Sequence, residues 1–213
     1  MVGVPIKYRR NPEGLIQSFS FTELATGRGY VQLWMCDFED GSYRLVESSS
    51  IYGHLGNVGT SGTIDYDFDL LISNKPFLVE GDAYVTLVAQ IATENGVGTA
   101  YDEDFAVTIR HVDTAGTETQ LGTASANFTG NVTNATTRRA SYKINLARTK
   151  FLIGEKLRLT ITAPSATANI DLGFGCDPKN RTLPDVLKTL SYLPDWSAYG
   201  SESFILLPIR VDL

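Results

Sequence analysis

The 213 residues include two histidines, and this limits the catalytic chemistry that the sequence supports. A serine or cysteine nucleophile usually needs a histidine base that a third group holds in place. His54 lies in a segment rich in glycine, serine and asparagine, whereas His111 lies at the end of a predicted strand, where we expect a solvated or hydrogen-bonded edge residue. Residues 59–62 (Gly-Thr-Ser-Gly) lack the spacing of a nucleophile elbow and precede a strand instead of a helix. We therefore predict no catalytic residue.

Acidic side chains form two groups that suit glycoside hydrolysis or cation binding by residue type alone. Asp65, Asp67 and Asp69 alternate along one strand, so neighbouring carboxylates lie about 7 Å apart on one exposed face. Glycosidases hold two acids at a defined separation, but a row of like charges more often keeps a strand soluble and unpaired at its edge. Residues 102–104 (Asp-Glu-Asp) offer the oxygen atoms that Ca²⁺ prefers without a recognisable ligand spacing, and an acidic turn is the favoured interpretation.

The sequence offers little for binding a transition metal. Cys36 and Cys176 are the two cysteines, and together with the histidines they occupy four separate segments without the paired spacing of zinc ligands. Both cysteines lie in apolar, strand-like patterns and are far apart in sequence, which favours two buried free thiols. We predict no metal and no cofactor.

Aromatic residues near the C-terminus are candidates for contact with a glycan or a protein. Tyr192, Trp196 and Tyr199 lie in a segment that contains proline and serine, and an exposed aromatic loop suits either partner. Alternatively, Trp196 fills one end of the predicted fold.

Composition indicates an ordered globular protein. A hydrophobic fraction of 43% and a charged fraction of 20% are typical of a packed domain, and a chain of this length buries a full core without disulfides. The net charge of -6 disfavours a nucleic-acid partner, because phosphate binding needs a surplus of lysine and arginine. The chain opens without a recognisable signal peptide, and no run approaches the roughly 20 apolar residues of a membrane-spanning helix. We expect synthesis in the cytoplasm and no membrane partner.

Alternation of apolar and polar residues predicts an all-β protein of about eleven strands, at the spacing of a sandwich. Along residues 64–70, the apolar side chains face one side and three aspartates face the other. A helical pattern is limited to residues 183–190. The prediction is one jelly-roll-like antiparallel β-sandwich over residues 15–213, which includes a short meander at its start.

Residues 1–14 are predicted to form an extended arm. They contain two prolines and two glycines and show no periodicity, so neither a helix nor a paired strand is expected. The arm carries a short basic cluster of Lys7, Arg9 and Arg10. Because such arms usually lie on a neighbouring molecule, these three residues are candidates for assembly contacts.

Two segments share a glycine-centred pattern that precedes an alternating strand. They are residues 151–163 (FLIGEKLRLTITA) and residues 76–92 (PFLVEGDAYVTLVAQIA). In each, a short apolar run meets a glycine beside charged residues, and alternation follows. We predict that each strand is entered through a glycine turn.

These segments, together with IKYRRNPEGLIQSFSFTELATGRGYVQLWMCDF and LGFGCDPKNRT, resemble virion structural proteins of environmental tailed viruses of bacteria and archaea. The resemblance covers most of the chain and lies in the pattern of turn residues that separate the strands. It implies a jelly-roll or related sandwich that stabilises a capsid as a cement, decoration or vertex protein, often as a trimer. It also implies the viral major capsid protein as partner and the virion as location.

The resulting functional expectation is a non-enzymatic virion structural protein, whose arm and loops contact the shell or a second subunit. The alternative is a carbohydrate- or receptor-binding sandwich module of a virion, which uses Trp196 with Tyr192 and Tyr199. Neither interpretation assigns a catalytic residue.

Overall fold

The computed structural model describes residues 28–38, 41–47, 64–93, 98–133, 135–163, 169–176 and 202–210. In these ranges the secondary structure consists of strands, and the all-β prediction is confirmed. The ten strands are β1 (Arg28–Asp37), β2 (Tyr43–Val46), β3 (Ile64–Leu71), β4 (Phe77–Thr93), β5 (Thr99–Val112), β6 (Glu118–Val132), β7 (Ala135–Phe151), β8 (Lys156–Ala163), β9 (Ile170–Phe174) and β10 (Phe204–Arg210).

The strands form one hydrogen-bonded sheet in the order β6-β5-β8-β3-β2-β1-β10-β4-β7. Strand β9 continues the line of β10, because β4 pairs with β10 over residues 78–86 and with β9 over residues 89–93. The pairs are antiparallel except at the contact of β2 with β3, where Arg44 lies opposite Asp69. The sheet is therefore almost wholly antiparallel, as predicted.

Ring contacts between distant strands show that the sheet folds over on itself. The ring centroids of Phe68 on β3 and Phe174 on β9 are 5.8 Å apart, and those of His111 on β5 and Phe151 on β7 are 4.8 Å apart. One layer of the resulting sandwich contains β6, β5, β8 and β3. The other contains β1, β10, β4, β9 and β7, and β2 joins the two.

Alternation along the strands fills the space between the layers. The inward residues of β4 have no accessible surface; they are Val79, Ala83, Val85, Leu87, Ala89 and Ile91. On β3, the predicted apolar face is confirmed, since Ile64 and Phe68 are buried and Tyr66 packs against the same core. Burial of each large apolar side chain contributes roughly 1.5–3 kcal/mol.

The two glycine-centred segments behave differently. Gly154 has a φ of 90° and forms the predicted turn between β7 and β8, where its N–H donates to the Ile72 carbonyl at 2.8 Å. Gly81 also has a positive φ, 117°, but β4 runs straight through it, and the pairing of β4 with β7 shifts register between Val79 and Gly81. The predicted turn at residues 80–82 is therefore wrong, and the glycine serves a bulge.

Two further connections between strands are short. Gly116, with a φ of 86°, lies in the turn between β5 and β6, and its N–H donates to the Asp113 carbonyl at 3.0 Å. Strand β6 ends at Val132 and β7 starts at Ala135.

Two predicted elements are not part of the described structure. The arm of residues 1–14 and the helical pattern at residues 183–190 lie outside the described residues. Among those described, no helix has the length and apolarity to span a membrane.

Strands β6 and β7, which end the strand order on its two sides, approach each other closely at Gly122. A methyl group built on Gly122 would overlap Cγ2 of Ile144 and would lie 3.5 Å from the carbonyl oxygen of Asn145. Glycine is therefore required here by the space between the strands.

We predict that Gly122→Ala lowers the free energy of unfolding by about 1–3 kcal/mol, because the added methyl group overpacks the contact with Ile144. Urea denaturation measures the change. Gly98→Ala is the matched control, since nothing lies within 4 Å of a methyl group at that position. The control should stay within about 0.5 kcal/mol of the parent, and equal stability of the two variants would contradict the close approach of β6 and β7.

Candidate functional site

His111 forms a hydrogen-bonded contact with Glu155 at one end of the sandwich. Its Nε2 lies 2.7 Å from Oε2 of Glu155, and the same carboxylate oxygen accepts the backbone N–H of Leu152 at 2.7 Å. The expected hydrogen bond is confirmed, but the expected edge position is wrong, because β5 pairs with β6 on one side and with β8 on the other. Within the described ranges, His111 hydrogen-bonds to no serine or cysteine, so it activates no nucleophile there.

The aspartates of β3 belong to a network of ion pairs on the outside of the first layer. Arg158 binds Asp69 with two nitrogens, at 2.7 and 2.9 Å, and its Nη1 lies 2.9 Å from Asp67. Arg158 Nη1 also contacts Glu118 at 2.6 Å, and Lys156 contacts Asp69 at 3.0 Å. The predicted row of solvated aspartates is therefore wrong for two of its members, which are held by cations from β8.

Electrostatics of this network favour a structural role. Burial raises the pKa of Asp69, but hydrogen bonds from Arg158 and Lys156 outweigh burial, so the pKa lies below its ordinary value. The hydrogen bond to Asp69 raises the pKa of Arg158 in turn. A carboxylate held ionised by two cations is a poor general acid, which argues against a glycosidase pair here.

The other sequence candidates separate in the structure. Residues 102–104 lie within β5, where Glu103 points into the interior and Asp102 and Asp104 point outward. The acidic turn predicted there is wrong. Asn127 donates to both outward aspartates, at 2.7 and 3.0 Å. Cys36 and Cys176 are buried and form no disulfide, as predicted.

The outer surface of the second layer carries aromatic side chains that face away from the core. We call this surface the outer aromatic face; it comprises Tyr30, Trp34, Tyr84, Phe204 and Leu206. Trp34 lies opposite Phe204, and Leu206 lies opposite Tyr84. The rings of Tyr30 and Tyr84 have centroids 6.3 Å apart and remain 47% and 38% exposed. A partly exposed aromatic group of this kind suits contact with another protein surface.

Polar residues border the outer aromatic face on the side of β7. Lys143 lies opposite Tyr84, and its Nζ is 2.7 Å from Oδ2 of Asp82. Asn145 donates to the other oxygen of Asp82 at 2.9 Å. The hydrogen bonds from Lys143 and Asn145 lower the pKa of Asp82, and the bond to Asp82 raises the pKa of Lys143. Lys143, Asp82 and Asn145 thus form a fixed polar border beside the apolar outer aromatic face.

Sequence reasoning missed the outer aromatic face, although a signal for it exists. Strand β1 (RGYVQLWMCD) and strand β10 (FILLPIR) carry apolar residues at successive positions, so both faces of each strand are apolar. In β1, Leu33 and Met35 fill the core, which leaves Trp34 outside. That pattern predicts a second apolar surface, but which strands lie beside β1 depends on long-range pairing.

The structure does not describe the binding candidates that were identified from the sequence. The basic cluster Lys7, Arg9 and Arg10 and the aromatic group Tyr192, Trp196 and Tyr199 lie outside the described residues, as does His54. Their proposed contacts stay predictions.

Comparison with solved structures relates the fold to parts of larger hydrolases. An α-amino acid ester hydrolase aligns with a TM-score of 0.58 and 12% identity, over 85% of this chain and 36% of that chain. An aminopeptidase from the marine sediment archaeon Thaumarchaeota archaeon aligns with a TM-score of 0.55 and 10% identity, over 87% and 37%. A CocE/NonD family hydrolase from Staphylococcus aureus aligns with a TM-score of 0.52 and 11% identity, over 85% and 37%. No family and no curated protein matches the sequence.

At such low identity these similarities establish the fold alone. The chain spans little more than a third of the hydrolase chains that it matches, at most 37% of their length.

The comparisons correct the functional prediction. The prediction was a non-enzymatic virion structural protein of cement or decoration type, with a glycan-binding virion module as the alternative. Both are contradicted, because the matching folds belong to hydrolases. The physical reason is that the pattern of turn residues and alternating strands reflects the packing of a sandwich. It carries no information about what the sandwich is attached to. The capsid partner, the trimer and the virion location stay predictions that the fold does not address.

We predict that Glu155→Gln destabilises the fold in a pH-dependent way. The hydrogen bond from Leu152, followed by the one to His111, holds the pKa of Glu155 below its ordinary value of 4.5. The stabilisation is therefore full above about pH 4.5 and is lost as the pH falls through the lower folded-state pKa. At pH 7 the variant should lose about 1–3 kcal/mol in urea unfolding, and the difference from the parent should shrink as the pH falls below about 4.5.

Asp65→Asn is the matched control for this pH series, because Asp65 is an exposed carboxylate on the same sandwich. Its stability should follow that of the parent at each pH. A difference between Glu155→Gln and the parent that is independent of pH would contradict an ionised Glu155 as the source of the stabilisation.

Proposed function

We propose that this chain is the β-sandwich domain of a hydrolase that cleaves ester or peptide bonds, and that it binds the catalytic domain through the outer aromatic face. The observation that carries the proposal is an apolar, aromatic sheet surface opposite the core, on a fold that aligns with about a third of each hydrolase chain. The remaining two thirds of such chains provide the partner that this surface would meet.

Several ionisable side chains of the described residues are engaged in structural contacts, which supports a separate catalytic domain. His111 is the histidine in these ranges, and its Nε2 is committed to Glu155. Asp67 and Asp69 of β3 are held by Arg158 and Lys156. These groups stabilise the sandwich, so a nucleophile and its base are expected from another part of the hydrolase.

The composition of the outer aromatic face supports a protein partner. Interfaces are enriched in tyrosine, tryptophan and phenylalanine at their centres and are polar at their rims. Here Tyr30, Trp34 and Phe204 supply the centre, and the Lys143–Asp82 pair supplies part of the rim. Apolar sheet faces of this kind are normally covered by another part of a protein, because exposure of apolar area to water is unfavourable.

Immobilised chain, incubated with extract of the source cells, should retain an activity that hydrolyses p-nitrophenyl acetate or an amino-acid p-nitroanilide. Tyr30→Ser combined with Tyr84→Ser should reduce the retained activity at least about tenfold, because both side chains belong to the apolar centre. The purified chain alone should show much less turnover than the retained material.

Leu152→Ser combined with Ile153→Ser is the control, since it removes two exposed apolar side chains from a different surface. Retained activity should be unchanged in the control. Absence of hydrolytic activity in the retained material, or equal loss in both double variants, would contradict the proposal. Circular dichroism confirms that each variant is folded.

A further inference from the structure

Three aliphatic side chains are exposed together at one end of the sandwich. Leu71 is 56% exposed at the end of β3, and Leu152 and Ile153 are 47% and 54% exposed in the turn between β7 and β8. We call this region the Ile153 end; it comprises Leu71 and the connections at residues 72–76, 113–117 and 152–155. A cluster of exposed leucine and isoleucine is unusual for a surface that stays in water.

Backbone hydrogen bonds hold the Ile153 end in a defined shape. The N–H of Gly154 donates to the carbonyl of Ile72 at 2.8 Å, and the N–H of Ile72 donates to the carbonyl of Glu155 at 2.9 Å. These bonds join the chain beside Leu71 to the turn that contains Leu152 and Ile153. The exposure of the three aliphatic side chains is therefore built into the turn.

Side-chain contacts hold the same turn from inside and from the neighbouring hairpin. Glu155 accepts the N–H of Leu152 and pairs with His111, each at 2.7 Å. Thr114 of the β5–β6 hairpin has its methyl carbon 3.2 Å from the place of a Cβ on Gly154. The three connections thus form one surface at this end.

Exposed cations lie in the segments that lead into the aliphatic cluster. Strand β7 contains three arginines and two lysines and no acidic residue. Two of these cations, Arg148 and Lys150, lie just before the Leu152 turn and are exposed, as is Lys75 in the connection after β3. These three cations form no ion pair within the described ranges.

The carboxylates at the Ile153 end accept hydrogen bonds from neighbouring groups and form no ion pair with Arg148, Lys150 or Lys75 within the described ranges. The carboxylate of Asp113 accepts the backbone N–H groups of Ala115 and Thr117, at 2.9 and 2.8 Å. Glu155 is paired with His111. The surface therefore combines exposed aliphatic side chains with three exposed cations, which outnumber the two carboxylates Asp113 and Glu155.

We propose that the Ile153 end binds the surface of a membrane that contains anionic lipids. Leu152, Ile153 and Leu71 enter the boundary between headgroups and acyl chains, while Arg148, Lys150 and Lys75 contact the anionic headgroups. Protein-binding hot spots are enriched in tryptophan, tyrosine and arginine, whereas the Ile153 end presents leucine and isoleucine in a turn. The lipid partner departs from the sequence-based expectation of no membrane contact, and it is independent of the proposed hydrolase function.

The test is co-sedimentation of the chain with vesicles of phosphatidylcholine, with or without phosphatidylserine. The parent should bind the vesicles that contain phosphatidylserine, and binding should weaken as salt is added. Leu152→Ser combined with Ile153→Ser should weaken binding at least about tenfold. Arg148→Gln combined with Lys150→Gln should weaken it by about ten- to thirtyfold.

Arg138→Gln combined with Arg139→Gln is the matched control, because it removes the same charge from the other end of β7. Arg139 and Arg148 are about 30 Å apart along the strand, beyond the screening length of physiological salt, so this control should bind within about twofold of the parent. Equal binding to vesicles without phosphatidylserine, equal loss in the control, or no binding by the folded parent would each overturn the proposal.

Discussion

Burial of alternate side chains of β4 between the two layers is the constraint on which the rest of the structure depends. This strand of 17 residues pairs with β7 on one side and with β10 and β9 on the other. Because its inward residues are fully buried, a slip of one residue would turn Tyr84 into the core and Val85 out of it. The register of four strands, and the side chains on both faces, follow from that one burial pattern.

The sequence predicted those features of the fold that depend on local pattern. Alternation in β3 identifies the core side correctly, and Gly154 marks a real turn. Gly81 shows the limit, because a positive φ suits a bulge as well as a turn. Continuous pairing of β7 along β4 decides between the two, and that pairing joins residues far apart in the chain, such as Asp82 and Asn145, which are 63 positions apart.

Long-range pairing also explains what the sequence did not reveal about the candidate sites. Asp67 and Asp69 read as a solvated row, since their partner Arg158 lies 89 residues beyond Asp69 and meets it only through the pairing of β3 with β8. The outer aromatic face requires β1, β10 and β4 to be neighbours, although they are far apart in the chain. The functional class was mispredicted for a different reason, because similar strand punctuation serves sandwiches attached to unrelated proteins.

Strand β7 relates the two surfaces that we assign to partners. Lys143 lies beside Tyr84 at the outer aromatic face, whereas Arg148 and Lys150 lead into the turn at the Ile153 end. Side chains of a sheet stand perpendicular to its plane, while turns project along the strands, so the two surfaces point in different directions. A catalytic domain on the face would leave the end uncovered. Under the two proposals, the sandwich would contact a catalytic domain on its face and a lipid surface at its end, and the catalytic domain would then have a fixed orientation relative to the membrane.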